Sequence, residues 1–468
     1  MTILPILQLR SRLPPLRRPP PTGAGPVVCK RGGTSDCTVT NTYGSFPDRA
    51  VCRAADVTYP RTEQELVAAV AAAAAAGRRV KVVTRYSNSF PRIACPGGRD
   101  GTALGKVARE KQGVTLAMEP LFKRSVKFDD RDIAEKVAIW GSLHEFGDMV
   151  QLPGQGKVIY REDDRVDVST PDDGLNDYLG FRLQPTLSMV GFRVIGGADE
   201  WLEENNGRFT DSARCVASRV VTATFELMAY GFTNDGAAFT GYPVVGYQHR
   251  VQASSSCLDV DDGGLLFSCP WDHRIRGVFA YNSGFSVTLS RAPAFVADVA
   301  RLRDLVPAAF CQLDAKMGVL MRYVGASSAY LGKAEASPRA HADVFDEIEQ
   351  MALRKYGGVP HWGKNRNSAF AGAVSRYPNA GAFLEVKGRY DPGGVFSSEW
   401  SDPVLGVRGS PVVLGDGCAM EGLCVCSDDS RCAPELGYYC RPGKVFKEAS
   451  VCSLKDAAAA GVPANRTE

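Results

Sequence analysis

The clearest pattern of apolar and polar positions begins at residue 62. Thr62 followed three residues later by Glu65 forms a capping box. Residues 66–76 are almost all Ala and Val, and Gly77 stands where a helix C-terminus favours a left-handed residue. This predicts a helix over residues 62–76. The run Arg79-Val80-Lys81-Val82-Val83-Thr84 then reads as a buried strand entering a polar loop, Arg85-Tyr86-Ser87-Asn88-Ser89-Phe90. Residues 97–114 are turn-rich and basic with no clear period, and residues 114–118 read as a further strand. Residues 121–335 mix short β-branched and aromatic runs with Gly/Pro turns, as in Gly156-Lys157-Val158-Ile159-Tyr160 and Phe239-Thr240-Gly241-Tyr242-Pro243. That mixture predicts an α+β domain with a sizeable antiparallel sheet. Residues 341–356 predict a helix with Val344, Ile348, Met351 and Ala352 on one face and charges on the other. No internal repeat is visible.

Length and composition narrow the class. A chain of 468 residues fits two or three domains, and 44% apolar with 23% charged residues is an ordinary globular mix. Lys+Arg 55 against Asp+Glu 52 leaves +3 with no basic run, so a nucleic-acid partner is not expected. No apolar stretch approaches ~18 residues, so no membrane span is expected. Six of the fourteen cysteines crowd the tail: Cys418, Cys424, Cys426, Cys432, Cys440 and Cys452. Their spacing lacks the paired knuckles of a zinc site, and Cys424 and Cys426 are separated by one residue. No metal is expected. A disulfide framework fits better, with 15 possible pairings, and places the protein in the secretory pathway, outside the cell or in a vacuole. The sequon Asn465-Arg466-Thr467 agrees with that route. The N-terminus gives no clear signal peptide. Its short apolar run is broken by Pro5 and precedes Arg10, Arg12, Arg17 and Arg18, so residues 1–28 read as a disordered Pro-rich leader.

Several catalytic motifs fail. His144-Glu145-Phe146-Gly147-Asp148 lacks the second His of a metalloprotease helix, and Gly154-Gln155-Gly156 lacks the third Gly of a dinucleotide fingerprint. Three segments remain. Thr84-Arg85-Tyr86-Ser87-Asn88-Ser89 offers successive donors after a strand, a nest suited to pyrophosphate. Val359-Pro360-His361-Trp362-Gly363-Lys364-Asn365 can hold a fixed positive charge against a developing anion. Tyr390-Asp391-Pro392-Gly393-Gly394-Val395-Phe396-Ser397 ends a helix in a turn. Taken singly, these read as a surface loop, a core Trp beside a solvated Lys, and a plain turn.

Together and in this order they are more specific. The chain resembles the plant L-gulono-1,4-lactone oxidases, flavoenzymes of the vanillyl-alcohol-oxidase type. The resemblance includes residues 37–44, 46–49 and 59–89, then Leu121-Phe122-Lys123-Arg124-Ser125, residues 241–248, Leu320-Met321-Arg322-Tyr323-Val324, the 361–364 motif and the tail from Asp416. It implies an α+β chain in five parts. These are the leader (1–28), a truncated PCMH-type FAD-binding domain (29–118), a cap or substrate domain (119–340), a segment returning to the flavin site (341–410) and the Cys-rich tail (411–468). It further implies oxidation of an aldono-1,4-lactone, with a hydride passing to flavin N5 and oxygen or another acceptor taking the electrons. The 2-keto-lactone product enolises to ascorbate or an analogue. By the same resemblance Arg85, Tyr86, Ser87, Asn88 and Ser89 bind FAD, while Lys364, His361 and Arg322 serve catalysis.

The chain departs from that pattern in four ways. Asn88 replaces a His that bonds covalently to flavin, so FAD is expected to be non-covalent. Leu320 stands two before Arg322, where some relatives carry an acid. Roughly a hundred residues of a domain-sized insert, including a Gly-rich cofactor segment, are missing between residues 101 and 119, and a strand is missing between 333 and 343. The first loss is expected to strip strand neighbours from residues 80–83 and expose them. A catalytically inactive secreted relative, or a truncated gene product that no longer binds FAD, is therefore the alternative. A bicovalent carbohydrate oxidase ranks last, because its Cys-bearing loop is absent.

Overall fold

The computed structural model describes residues 27–30, 34–39, 52–60, 62–84, 102–106, 120–167, 169–171, 173–176, 184–188, 190–191, 194, 211–227, 232–234, 243–247, 250–251, 266–268, 283–315, 318–323, 341–362 and 365–454. Residues 1–26 of the leader, the strand expected at 114–118 and residues 239–242 lie outside them, whereas Val27 and Val28, expected to end a disordered leader, belong to a strand paired with Thr38 and Val39.

The first sheet combines β1 (Val27–Cys29), β2 (Ser35–Val39), β3 (Cys52–Thr58), β4 (Val80–Thr84) and β5 (Thr102–Lys106) in the order β1-β2-β3-β5-β4. Its first three strands are antiparallel and are stapled at one register pair by Cys29–Cys37. The last three are parallel, with β5 between β3 and β4. Helix α1 (Glu63–Ala75) makes the crossover, and Thr62 Oγ1 accepts from the Glu65 N–H at 3.2 Å. β5 falls in the stretch that showed no period, and it corrects the expected exposure at Val80. With β5 beside it, Val80 is fully buried against Ala73. The exposed apolar surface lies instead on α1, at Leu66 and Val67.

The second sheet is antiparallel throughout. It comprises β6 (Pro120–Asp129), β7 (Asp148–Leu152), β8 (Lys157–Arg165), β12 (Val244–Tyr247) and β15 (Val319–Arg322), in the order β12-β6-β8-β7-β15. Two-residue strands pair beside it: β9 (Leu175–Asn176) with β11 (Phe232–Thr233), and β10 (Gln184–Pro185) with β13 (Phe267–Ser268). Helix α2 (Ile133–Leu143) lays Ile133, Val137 and Trp140 on Met149, Val158 and Tyr160. Helix α3 (Asp211–Leu227) is joined to α5 (Pro307–Ala315) by Cys215–Cys311, and α4 (Ala292–Leu305) adds Val296 to the α2 core. The fold is α+β.

Helix α6 (Ala342–Gln350) runs into a π-helical turn at Met351–Lys355. Val344, Met351 and Ala352 are buried as the pattern requires, but its charged face is buried as well. Glu347, at zero exposure, accepts from the backbone N–H groups of Lys444, Val445 and Phe446 at 2.6–2.7 Å. Lys444 Nζ reaches Asp343 at 2.6 Å, and Gln350 and Ser450 exchange two hydrogen bonds. The charges share one face as the pattern predicts, and that face is buried because the tail supplies donors from a hundred residues on. That tail is cross-linked by Cys418–Cys424, Cys426–Cys440 and Cys432–Cys452. It contains a regular hairpin of β17 (Tyr438–Pro442) and β18 (Ser450–Leu454). Among the described residues no cysteine is free, and no helix is long and apolar enough to cross a membrane.

Within residues 341–410, the turn at Val395 and Phe396 meets the first sheet. The turn after helix α7 (Ala380–Tyr390) is pinned by Asp391, which accepts from Val395 N and Phe396 N. The Val395 carbonyl takes the Val80 N–H at 2.7 Å, and the Phe396 carbonyl takes Lys81 Nζ.

Two expectations follow. Asp314 on α5 is fully buried; one oxygen accepts from Gly154 N–H at 3.3 Å and the other has no partner. Burial raises its pKa to about 7, against the pull of the Gly154 and Gln155 amides. Its folded pKa lies above its unfolded one, so the native state holds the proton. The stability this contributes is full below about pH 4 and is lost as pH rises towards about 7, at up to ~1.4 kcal/mol per pH unit. Asp314→Asn should raise the melting temperature at about pH 8 and change it little at about pH 5; equal shifts at both would refute the assignment. Glu347→Gln should cost about 2–3 kcal/mol in urea denaturation, because it turns an ionic acceptor into one that carries an N–H of its own.

Candidate active site

The 361–365 segment begins where a short ladder stops. β16 (Val359–Pro360) pairs with β14 (Phe285–Ser286), matching Phe285 to Pro360 and Ser286 to Val359. The next rung is Gly284, whose carbonyl accepts from His361 N–H at 2.7 Å. The Asn365 side chain meets the same glycine twice: Oδ1 accepts from Gly284 N–H and Nδ2 donates to Gly284 O. The loop is thus closed at both ends on one residue. A side-chain amide stands in for a strand rung, and both His361 and Asn365 are buried.

Trp362 sits in an aromatic cluster. Its ring centroid is 5.7 Å from Phe370 and 5.6 Å from Tyr377, and Phe370 meets Trp400 edge-on. Ala373 and Val404, the latter in helix α8 (Ser401–Val404), complete the packing. The Trp362 indole nitrogen is buried, with the Tyr377 hydroxyl beside it but out of hydrogen-bond geometry. Gly363 and Lys364 lie outside the described residues, as do Arg85, Tyr86, Ser87, Asn88 and Ser89.

Arg322 ends β15, with its side chain 68% exposed. Its carboxylate neighbour comes from across the ladder rather than from two residues before it. Asp148 is its register partner, with Arg322 Nε 3.9 Å from Oδ2. Arg161 Nε lies 2.6 Å from the other oxygen, off hydrogen-bond angle. Arg322 and His361 therefore stand on different sheets, each with partners of its own.

Sequence reasoning missed the residues that brace the loop. Asp346 pairs with Arg366, and burial holds the Asp346 carboxyl at about 6 despite that guanidinium. Glu349 accepts from Ser283 Oγ at 2.6 Å, beside Gly284. Only Asn365, next to the motif, could have drawn attention; a lone Asn gives no signal that it replaces a strand.

Residues 306–404, which include Arg322 and the 361–365 loop, match the family model described as D-arabinono-1,4-lactone oxidase. Residues 415–454 match that of the L-gulonolactone oxidase 2-like C-terminal domain. The probable L-gulonolactone oxidase 4 of Arabidopsis thaliana is 38% identical over 92% of this chain and 96% of its own length. The chain belongs to the L-gulonolactone oxidase family. Arabidopsis L-gulonolactone oxidase 2 is also 38% identical, with 92% of this chain and 94% of its own length covered. A solved solvent-stable cholesterol oxidase covers 83% of the chain at 11% identity with a TM-score of 0.46, too loose a likeness to inform the fold. The alignment to gulonolactone oxidase 4 runs over 558 positions; the chain has 468 residues, so at least 90 of those positions hold no residue of this chain. The family is one of oxidoreductases.

Asn365→Ala removes both side-chain rungs and leaves the buried Gly284 amide and carbonyl without those partners. Because the Gly284 carbonyl keeps the His361 N–H, only the Gly284 amide is orphaned, and the change should cost about 1–3 kcal/mol in thermal or urea denaturation. A loss below ~0.5 kcal/mol would show that the loop is closed by something else.

Proposed function

We propose that this chain descends from an FAD-dependent oxidase of L-gulono-1,4-lactone or D-arabinono-1,4-lactone and retains its lactone-oxidising site. The product would be the 2-keto-lactone that yields L-ascorbate or an analogue. The observation that carries the reading is the doubly anchored 361–365 loop, within the stretch matching D-arabinono-1,4-lactone oxidase. The donor set suits a ring that carries hydrogen-bond acceptors: the buried Trp362 indole N–H lies two residues before Lys364, and the acids that brace the loop, Asp346 and Glu349, are engaged by Arg366 and Ser283. FAD, when bound, supplies the hydride acceptor. Lys364 would then place its charge against the N1–C2=O side of the ring, His361 would shape the pocket, and Arg322 would polarise the lactone carbonyl. Residues 85–89 would hold the phosphates. Asn88 has no ring nitrogen for a flavin bond, so the cofactor is held without one. Lys364→Ala should lower turnover about 10²-fold or more with an unchanged melting temperature; equal turnover removes it from the site.

One observation favours a weakened enzyme. At least 90 family positions are missing from this chain, and Leu66 and Val67 lie open on α1. We place the main gap in the joint between the two sheets, where only residues 107–119 connect β5 to β6. A flavin braced on one side binds loosely, because small-ligand sites bury ~70–90% of their ligand. Expressing this chain beside a version with the family's stretch restored tests both readings. Lower flavin occupancy and slower gulonolactone oxidation are expected in the short form; full occupancy and equal rates would refute the weakening. The three tail disulfides support export to an oxidising compartment.

A further inference from the structure

Behind the His361 loop, residues 366–368 lie between helix α6 and the tail. Arg366 pairs with Asp346 of α6, and both side chains are largely buried. The tail covers the same arginine through Gly422. A methyl group added there would fall 2.1 Å from Arg366 Cδ, and Gly422 adopts φ +69°, where glycine is favoured. The Gly422 carbonyl accepts from Ser368 N–H at 3.1 Å, and Asn367 Nδ2 donates to Pro411 O at 2.9 Å. Gly422 belongs to the small ring closed by Cys418–Cys424. Within it the Gly422 N–H bonds Ala419 O and the Leu423 N–H bonds Cys418 O. The ring therefore has one shape and offers the loop one seat.

We propose that Arg366 is a positioning residue for the His361–Asn365 loop, and that the Cys418–Cys424 ring holds it in place through Gly422. The tail is then part of the machinery of lactone oxidation and not a separate appendage. This rests on the function proposed above. A charged group displaced by about 1 Å can lose about 10²-fold in rate, so the effect belongs in kcat rather than in KM.

The test uses the full chain with its disulfides intact and compares Arg366→Ala, Arg366→Lys, Gly422→Ala and the double variant Arg366→Ala/Gly422→Ala. Hydrogen exchange reports the amides of His361 and Ser368, and steady-state assays report kcat and KM for the lactone. Arg366→Ala and Gly422→Ala should each speed exchange at His361 at least about tenfold and lower kcat with KM little changed. Arg366→Lys should recover most of both, and the double variant should be no worse than either single one, as for two parts of one contact. Unchanged exchange at His361 in Arg366→Ala, or additive effects in the double variant, would overturn the proposal. Continued protection of the Lys444, Val445 and Phe446 amides shows that the tail stays folded in Gly422→Ala; if it does not, Arg366→Ala and Arg366→Lys decide. Should no form oxidise the lactone, the functional reading fails while exchange at His361 still judges the clamp.

Discussion

A carboxylate taken out of water is tolerated only where other groups replace its hydration shell. Glu347 meets that condition with three successive amides of a segment about a hundred residues away. Because those amides belong to the tail, α6 keeps its buried charge only while the tail is docked. The neighbouring positions of the helix use that fixed placement. Asp346 holds Arg366, Glu349 holds Ser283, and between them the two ends of the 361–365 loop close on Gly284. One short helix thus sets tail, sheet edge and candidate site in a common frame.

What the sequence conveyed follows from how local each cause is. Helix α1 was legible because its cap is made by Thr62 and Glu65 within one turn. The apolar face of α6 was legible through its period, but the fate of its acids was not. Whether a charge faces water depends on what docks there, and nothing near residue 347 announces Lys444. β5 escaped notice because Thr102-Ala103-Leu104-Gly105-Lys106 has neither alternation nor a β-branched run; parallel neighbours on both sides make it a strand. Asn365 escaped because its amide works as backbone.

The first sheet draws little support from its own helix. α1 buries Ala73 and packs Ala69 and Val70 near Val80 and Val395, while the rest of its surface, Leu66 and Val67 included, faces outward. A helix made mostly of alanine has little apolar area to contribute on one face. The lobe is therefore held by its strands and by the returning segment at Val395 and Phe396. Substitutions at the Asp391 turn would reach the sheet through these two carbonyls.

The bridge between Cys215 and Cys311 spans 96 positions of chain. It turns residues 215–311 into a covalent ring that contains β12, β14 and the Gly284 rung. A single protease cut within that ring would leave one connected molecule, which would run as two fragments only after reduction. In such a nicked form α3 would still be tied to α5, and Gly284 would still be bound to the loop it closes.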